Sequence, residues 1–141
     1  HIEDTHPAKK YLLDRKIPKE YFSKLYYCDK FQSYVNRLRP GTFDKLNKIY
    51  EHPRLIIPFY DVDGEVFAIQ GRAFGKETPK YLTLKFDENK QKIYGLERVN
   101  LQNRLYIVEG PIDSLFIDNC LAAAGADLQL PVEKKRCGVY L

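Results

Sequence analysis

Apolar positions change their spacing along this chain, and each change predicts a different kind of element. Over residues 6–50 the spacing is helical and the intervening positions are polar. Pro7 suits a first helical turn, and Tyr11, Leu12 and Ile17 form a partial apolar stripe behind it. Beyond Pro18, Tyr21, Phe22, Leu25 and Tyr26 make the face of a second short helix. After the break at Pro40-Gly41, Thr42 is an N-cap candidate for a third helix through Tyr50, with Leu46, Ile49 and Tyr50 inward. His52-Pro53 closes this helical part.

From Arg54 the spacing shortens to that of strands. Leu55–Tyr60 reads as a strand, with Pro58 pointing to an edge or a bulge. Asp61-Val-Asp-Gly64 is the turn, and Val66–Gly71 the returning arm of a hairpin. Tyr81–Leu84 is a further short strand, Phe86–Gln91 a polar loop, and Ile93–Val99 a short helical turn. A four-residue apolar run, Leu105–Val108, then stops at Glu109-Gly110. An apolar-periodic segment follows over 112–119, with strands expected at Leu121–Ala124 and Cys137–Leu141. A strand, a helix and a strand in so short a span suit a helix held tightly against a sheet.

Composition narrows the class. In 141 residues, 44% hydrophobic and 13% aromatic content suffice for a packed core. No apolar run approaches the roughly 20 residues of a membrane span, and no signal-peptide pattern is present, so a cytoplasmic setting is expected. Cys28, Cys120 and Cys137 are far apart and form no C-x-x-C pair, which argues against a zinc ribbon or a disulfide framework. The chain opens on His1 and contains no methionine, so it reads as a piece of a longer polypeptide or an expressed domain. Residues 1–53 carry 11 Lys and Arg against 7 Asp and Glu, whereas residues 54–141 carry 12 against 12. A basic bias confined to one end suits a polyanionic partner, and equally a solvated helical surface.

Several clusters are candidates for chemistry. Asp61-x-Asp63-Gly64 has the residues a hairpin turn requires, and the downstream ligands of a calcium loop are missing. Gly71-Arg72 offers a close backbone approach to phosphate and a guanidinium to grip it; the plain alternative is a surface arginine. Lys80-Tyr81 joins a point charge to a stacking face, against the alternative of a solvated lysine and a core tyrosine. The turn at Glu109-Gly-Pro-Ile-Asp113 is more specific. Glycine allows a sharp exit from the strand, proline suits the first helical position, and Asp113 is favourable in a first turn in any case. Glu109 follows directly on Ile107-Val108 and is expected to need a counter-ion, a metal or a proton. The carboxyl end of a strand in an open α/β sheet is where ligands collect. His1, His6 and His52 all lie in the helical part and Ser114 has no nucleophile elbow, which argues against an acyl-transfer triad.

Taken in order, Arg54-Leu-Ile-Ile-Pro-Phe-Tyr-Asp61, Gly64, Gln70-Gly-Arg72, Pro79-Lys-Tyr-Leu82, Tyr94-Gly-Leu96 and Val108-Glu-Gly-Pro-Ile-Asp113 resemble the RNA-polymerase core of DnaG-type DNA primases, above all those of bacteriophages. The likeness is strong over 54–127 and loose over 5–53. It implies an α+β and α/β architecture in three parts. These are a small helical part over 1–53, a mixed β subdomain with the hairpin over 54–103, and the start of a Rossmann-like toprim sheet over 104–141. It also implies catalytic roles for Glu109 and Asp113, with Glu109 a metal ligand, and nucleic-acid or NTP binding by Arg72, Lys80 and Tyr81.

The implied cofactor is Mg2+ or Mn2+ in a two-ion site, whose partner Asp-x-Asp is expected beyond Leu141. The zinc-binding domain of such primases has no counterpart in these cysteines. The implied activity is template-directed synthesis of RNA primers, with single-stranded DNA and NTPs as partners and a replicative helicase in the full protein. The chain alone is expected to bind single-stranded DNA weakly and salt-sensitively, and to be inactive or nearly so. The alternatives are another toprim enzyme, such as a topoisomerase or an OLD-type nuclease, and a non-catalytic nucleic-acid-binding module.

Overall fold

A computed structural model describes residues 5–43 and 51–125, and the backbone of the short strand 137–139. The elements are α1 (Pro7–Asp14), a 3-10 turn (Lys19–Lys24), β1 (Tyr26–Cys28), α2 (Phe31–Leu38), β2 (Arg54–Tyr60), β3 (Val66–Ala73), β4 (Tyr81–Lys85), β5 (Leu105–Val108), α3 (Pro111–Ser114), β6 (Cys120–Ala122) and β7 (Cys137–Val139). β1 to β4 form an antiparallel sheet in sequence order, and β6-β5-β7 a parallel sheet with β5 at its centre. Among the described residues no helix is long and apolar enough to cross a membrane.

The antiparallel sheet is buried on both faces, and period-2 alternation sorts its residues between them. Ile56, Gly71 and Leu82 share one face, where α2 lays Phe31 and Val35 against Ile56, Ile69 and Leu84. Phe31 lies so close over Gly71 that a Cβ there would collide with its ring. Gly71 is therefore a packing glycine in mid-strand, and not the phosphate-approach glycine at a strand end that the sequence suggests. The other face carries Leu55, Ile57 and Phe59, which pack with Val108, Ile112, Leu115 and Ala122 of the parallel unit. A bulge between Phe59 and Tyr60 opposes two residues of β2 to three of β3 and brings Phe67 into this core, with its ring 6.2 Å from that of Phe59. Pro58 lies in an inner strand, but past Ile56, the last residue paired to β1.

β5 is buried on both sides as well. Tyr106 and Val108 contribute to the core shared with the antiparallel sheet, while Leu105 and Ile107 meet Ile93 and Leu121 under Leu96, Val99 and Leu101. The continuous apolar run of β5 is what such a central parallel strand needs.

Three elements depart from the sequence reading. Tyr26 begins a strand instead of continuing a helix, so the first 53 residues supply an edge strand to the sheet that follows. The helix expected over 112–119 is one turn, Pro111–Ser114, continued by 3-10-type bonds to Ile117. Asn119, at φ 51°, turns the chain into β6. The segment 93–99 is a turn, with Tyr94 bridged to Ala122. The third helix expected through Tyr50, with Leu46 and Ile49, lies outside the described residues.

Candidate nucleic-acid interface

The carboxyl end of β5 opens on a groove of about 240 Å3 lined by Gln70, Tyr81, Thr83, Glu109, Gly110, Pro111, Ala124 and Gly125. One wall is the β3–β4 ladder, where Gln70 opposes Thr83 and Arg72 opposes Tyr81 on a single face. The other wall is the turn after β5 together with the loop after β6. The N–H of Ala124 donates to the carbonyl of Glu109 at 2.9 Å and ties that loop to the turn.

Glu109 is exposed at the mouth of this groove. Burial does not force a partner on it, because the strand ends just before it and the residue is exposed, so a metal there would be a matter of function and not of folding. Asp113 is exposed too, and its carboxylate folds back over Gly110, where a Cβ would stand 2.9 Å from Oδ2. Glycine at 110 thus leaves room for the Asp113 carboxylate over the turn that follows Glu109. The turn is held from below by Arg98, which donates to Ser114 Oγ at 2.9 Å and to the Cys120 carbonyl at 3.2 Å. Ser114 in turn donates to the Pro111 carbonyl at 2.6 Å and is fully buried.

Glu109 and Asp113 are hard oxygen donors on one turn. That donor set suits Mg2+, which keeps several waters and takes one or two carboxylates. Among the described residues no three acidic, histidine or cysteine side chains gather as a metal cluster. The residues present fit one side of an ion's shell.

Arg72 is not at the surface. It is 3% exposed, with its guanidinium carbon 5.0 Å from the Tyr11 ring centre and 5.6 Å from that of Tyr81. Tyr11 comes from α1, which docks through an aromatic series: His6 on Tyr27 (4.5 Å), and Tyr27 and Tyr11 on Phe74 (5.9 and 5.3 Å). Burial raises the Tyr11 hydroxyl pKa, and the Arg72 and Arg15 charges oppose that rise. Tyr81 is 43% exposed and covers Arg72 from the groove side. Lys80 is exposed beside the Tyr81 ring at 5.7 Å, outside the groove lining. The structure therefore brings Glu109 and Tyr81 to one groove, sets Asp113 on the turn that lines it and Arg72 beneath Tyr81, and leaves Lys80 on the rim.

Arg54 fixes this rim. It is 3% exposed, stacks 5.6 Å from Phe31, and donates to the carbonyls of Gly71, Lys80 and Pro79 at 3.2, 3.3 and 2.8 Å. Burial lowers its pKa. Sequence reasoning missed Gln70, Thr83 and Tyr11 as neighbours of the site, and Arg54 and Arg98 as its supports. Gln70 had a signal: two residues from Arg72 in a strand, it must share its face. The acidic turn behaves as the hairpin reading expects. Asp61 Oδ1 accepts from the N–H groups of Asp63 and Glu65 at 2.9 and 3.0 Å, and Oδ2 pairs with Lys90 at 2.5 Å.

No family model matches the chain. It is 42% identical over 132 residues to the DNA primase of Enterobacteria phage T4, an alignment covering 93% of this chain and 37% of that protein. In structure it is similar to the zinc-binding and RNA-polymerase domains of the Aquifex aeolicus primase, with TM-score 0.65 and 22% identity over 89% of this chain and 38% of that one. It is also similar to a DnaG primase catalytic domain bound to single-stranded DNA, with TM-score 0.64 and 20% identity over 99% of this chain and 56% of that one. The chain thus spans about a third of the length of the phage relative, and its pairing of an antiparallel with a parallel sheet is that of primase catalytic cores.

Proposed function

We propose that this chain is part of the RNA-polymerase core of a DnaG-type DNA primase, its parallel sheet being the start of a Rossmann-like toprim domain. Similarity to the phage primase supports the family. The observation that carries the site is the shared groove: Glu109, at the carboxyl end of the central parallel strand, faces the polar ladder of Gln70, Tyr81 and Thr83. The activity is template-directed synthesis of RNA primers from NTPs on single-stranded DNA, in a bacterial cell or phage-infected host, with a replicative helicase as partner in the full protein.

In this reading Glu109 and Asp113 would hold Mg2+ or Mn2+ from one side, and the ion would supply charge stabilisation for in-line phosphoryl displacement by a 3′-hydroxyl on a triphosphate. Tyr81 presents a ring to a base, an interaction indifferent to sequence because every base has a π-face. Lys80 on the rim supplies a mobile cation for a phosphate. Arg72 gives the site a fixed positive charge beneath the Tyr81 ring. Arg54 keeps the Pro79–Lys80 segment at a set distance from β3.

Four measurements test the reading. Fluorescence anisotropy with labelled single-stranded DNA should give weak binding by the 141-residue chain that falls as salt rises. Mn2+ binding followed by water relaxation should weaken about tenfold or more in Glu109→Gln. The chain alone should make little or no primer, since the described residues bring only Glu109 and Asp113 to this turn. Robust primer synthesis by it would overturn the need for further acids. DNA nicking or relaxation without template-directed NTP incorporation by the full protein would overturn the primase reading in favour of another toprim enzyme.

A further inference from the structure

Among the described residues four buried side-chain atoms lack a hydrogen-bond partner: Tyr11 Oη, Gln70 Oε1, Arg72 Nε and Glu97 Oε2. One of them, Gln70 Oε1, belongs to a residue that lines the groove, and two more lie behind it. Gln70 and Arg72 stand two residues apart on one face of β3, and Tyr11 stacks on Arg72. Folded proteins leave few such atoms, because each gives up its bonds to water for nothing in return. Of these, the Gln70 oxygen is the one carried by a groove residue.

Gln70 is the best defined of the three. It is 4% exposed, lines the groove, and is anchored through Nε2, which donates to Thr83 Oγ1 at 3.2 Å. With the amide nitrogen engaged, the carbonyl oxygen is left over as an acceptor. The exposed ring of Tyr81 stands on the same wall of the same groove. A flat ring stacked on Tyr81 would bring its edge toward Gln70, and an amino group on that edge would supply the donor that the buried oxygen lacks once the side chain turns toward the groove.

We propose that Gln70, oriented by Thr83, is a specificity-determining contact that accepts a hydrogen bond from the amino edge of a nucleobase stacked on Tyr81. This rests on the reading of the groove as a nucleotide-binding surface. The base belongs to an incoming nucleotide or to a template strand. The chemistry is the same, and the experiment separates the two.

The test titrates the 141-residue chain with ATP, CTP, GTP and UTP, and separately with the octanucleotides dA8, dC8 and dT8. Affinities are read from NMR shifts, including the Gln70 side-chain amide. The wild-type chain should prefer the amino-bearing bases adenine, cytosine and guanine to uracil or thymine. Gln70→Leu should weaken the preferred ligand about five- to tenfold and bring the others level with it. Gln70→Glu, which keeps an acceptor, should retain the ranking. Thr83→Val, which releases the amide, should blunt it. A ranking seen only among triphosphates assigns the base to the incoming nucleotide, and one seen only among octamers to the template. The Tm of Gln70→Leu should equal or exceed that of wild type, since a buried orphan acceptor is removed. A preference that survives in Gln70→Leu, or wild-type binding with no preference for amino-bearing bases, overturns the assignment while leaving the groove a nucleotide site. Failure of the wild-type chain to bind any of the probes overturns the reading of the groove itself, and this inference with it.

Discussion

The two faces of the antiparallel sheet are built from the same strands and finished in opposite ways. On the α2 side, Phe31 fills the space left by Gly71, and Arg54 gives its protons to three backbone carbonyls. On the side of the parallel sheet, Arg72 is buried as deeply, yet its Nε has no acceptor, and Gln70 beside it keeps a free carbonyl. Two arginines on adjacent strands, each 3% exposed, thus do different work. Arg54 is consumed by the fold, whereas Arg72 gives one hydrogen bond, from Nη1 to the Ala73 carbonyl at 3.0 Å, and lies beneath the Tyr81 ring. Equal burial thus hides unequal bonding, and in the reading proposed above it is the less completely bonded arginine that serves the site.

The largest expected blow to this contrast is Phe31→Ala. It should cost about 3–5 kcal/mol of stability by denaturant unfolding, through the cavity it leaves on the closed face. Binding of single-stranded DNA by the folded fraction should be unchanged, and a parallel loss of affinity would show that the faces are not independent. Gly71→Ala should cost about 1–3 kcal/mol by forcing the Phe31 ring aside. Most of that loss should disappear in a Phe31→Leu background, which identifies the ring as the obstacle.

Tyr81→Ala should do the reverse. Its stability change should be small because the ring is 43% exposed. Affinity for single-stranded DNA should fall by about 1–3 kcal/mol in anisotropy titrations.

The smallest effect belongs to the Asp61–Lys90 pair, away from both faces. The hydrogen bond from Lys90, with those from the turn's N–H groups, holds the Asp61 carboxyl below its ordinary pKa. The stabilisation it gives is complete above the usual carboxylate range and is lost as pH falls through the lowered value. Asp61→Asn should therefore flatten the acid limb of a Tm-against-pH curve without touching DNA affinity.

The sequence showed the site's skeleton better than its surface. β5 and Glu109 were legible because an apolar run that stops at a charged residue can end a central parallel strand and little else. The hairpin was legible from Asp61-x-Asp63-Gly64. β1 was not, since Tyr21, Phe22, Leu25 and Tyr26 keep helical spacing and its three residues are too few to show alternation. Gly71 was misread because the reason for it, Phe31, is far upstream and across the sheet. Arg72 looked like a surface cation because no local pattern tells that Tyr11 and Tyr81 close over it. Those contacts come from tertiary docking, which periodicity does not encode.

The position of β5 between β6 and β7 has a kinetic consequence. β2, β3 and β4 follow one another directly, so their ladders close short loops and should form early. The parallel sheet joins Ile107 to Leu121 over a span like those of the hairpins and to Val139 over more than twice that span, and parallel pairing of this kind is the slower to form. The polar wall with Gln70, Tyr81 and Thr83 would then exist before the acid wall docks against it. Pulsed hydrogen exchange during refolding should show Ile69 and Leu84 amides protected before those of Tyr106 and Ala122; simultaneous protection would mean that both walls assemble in one step.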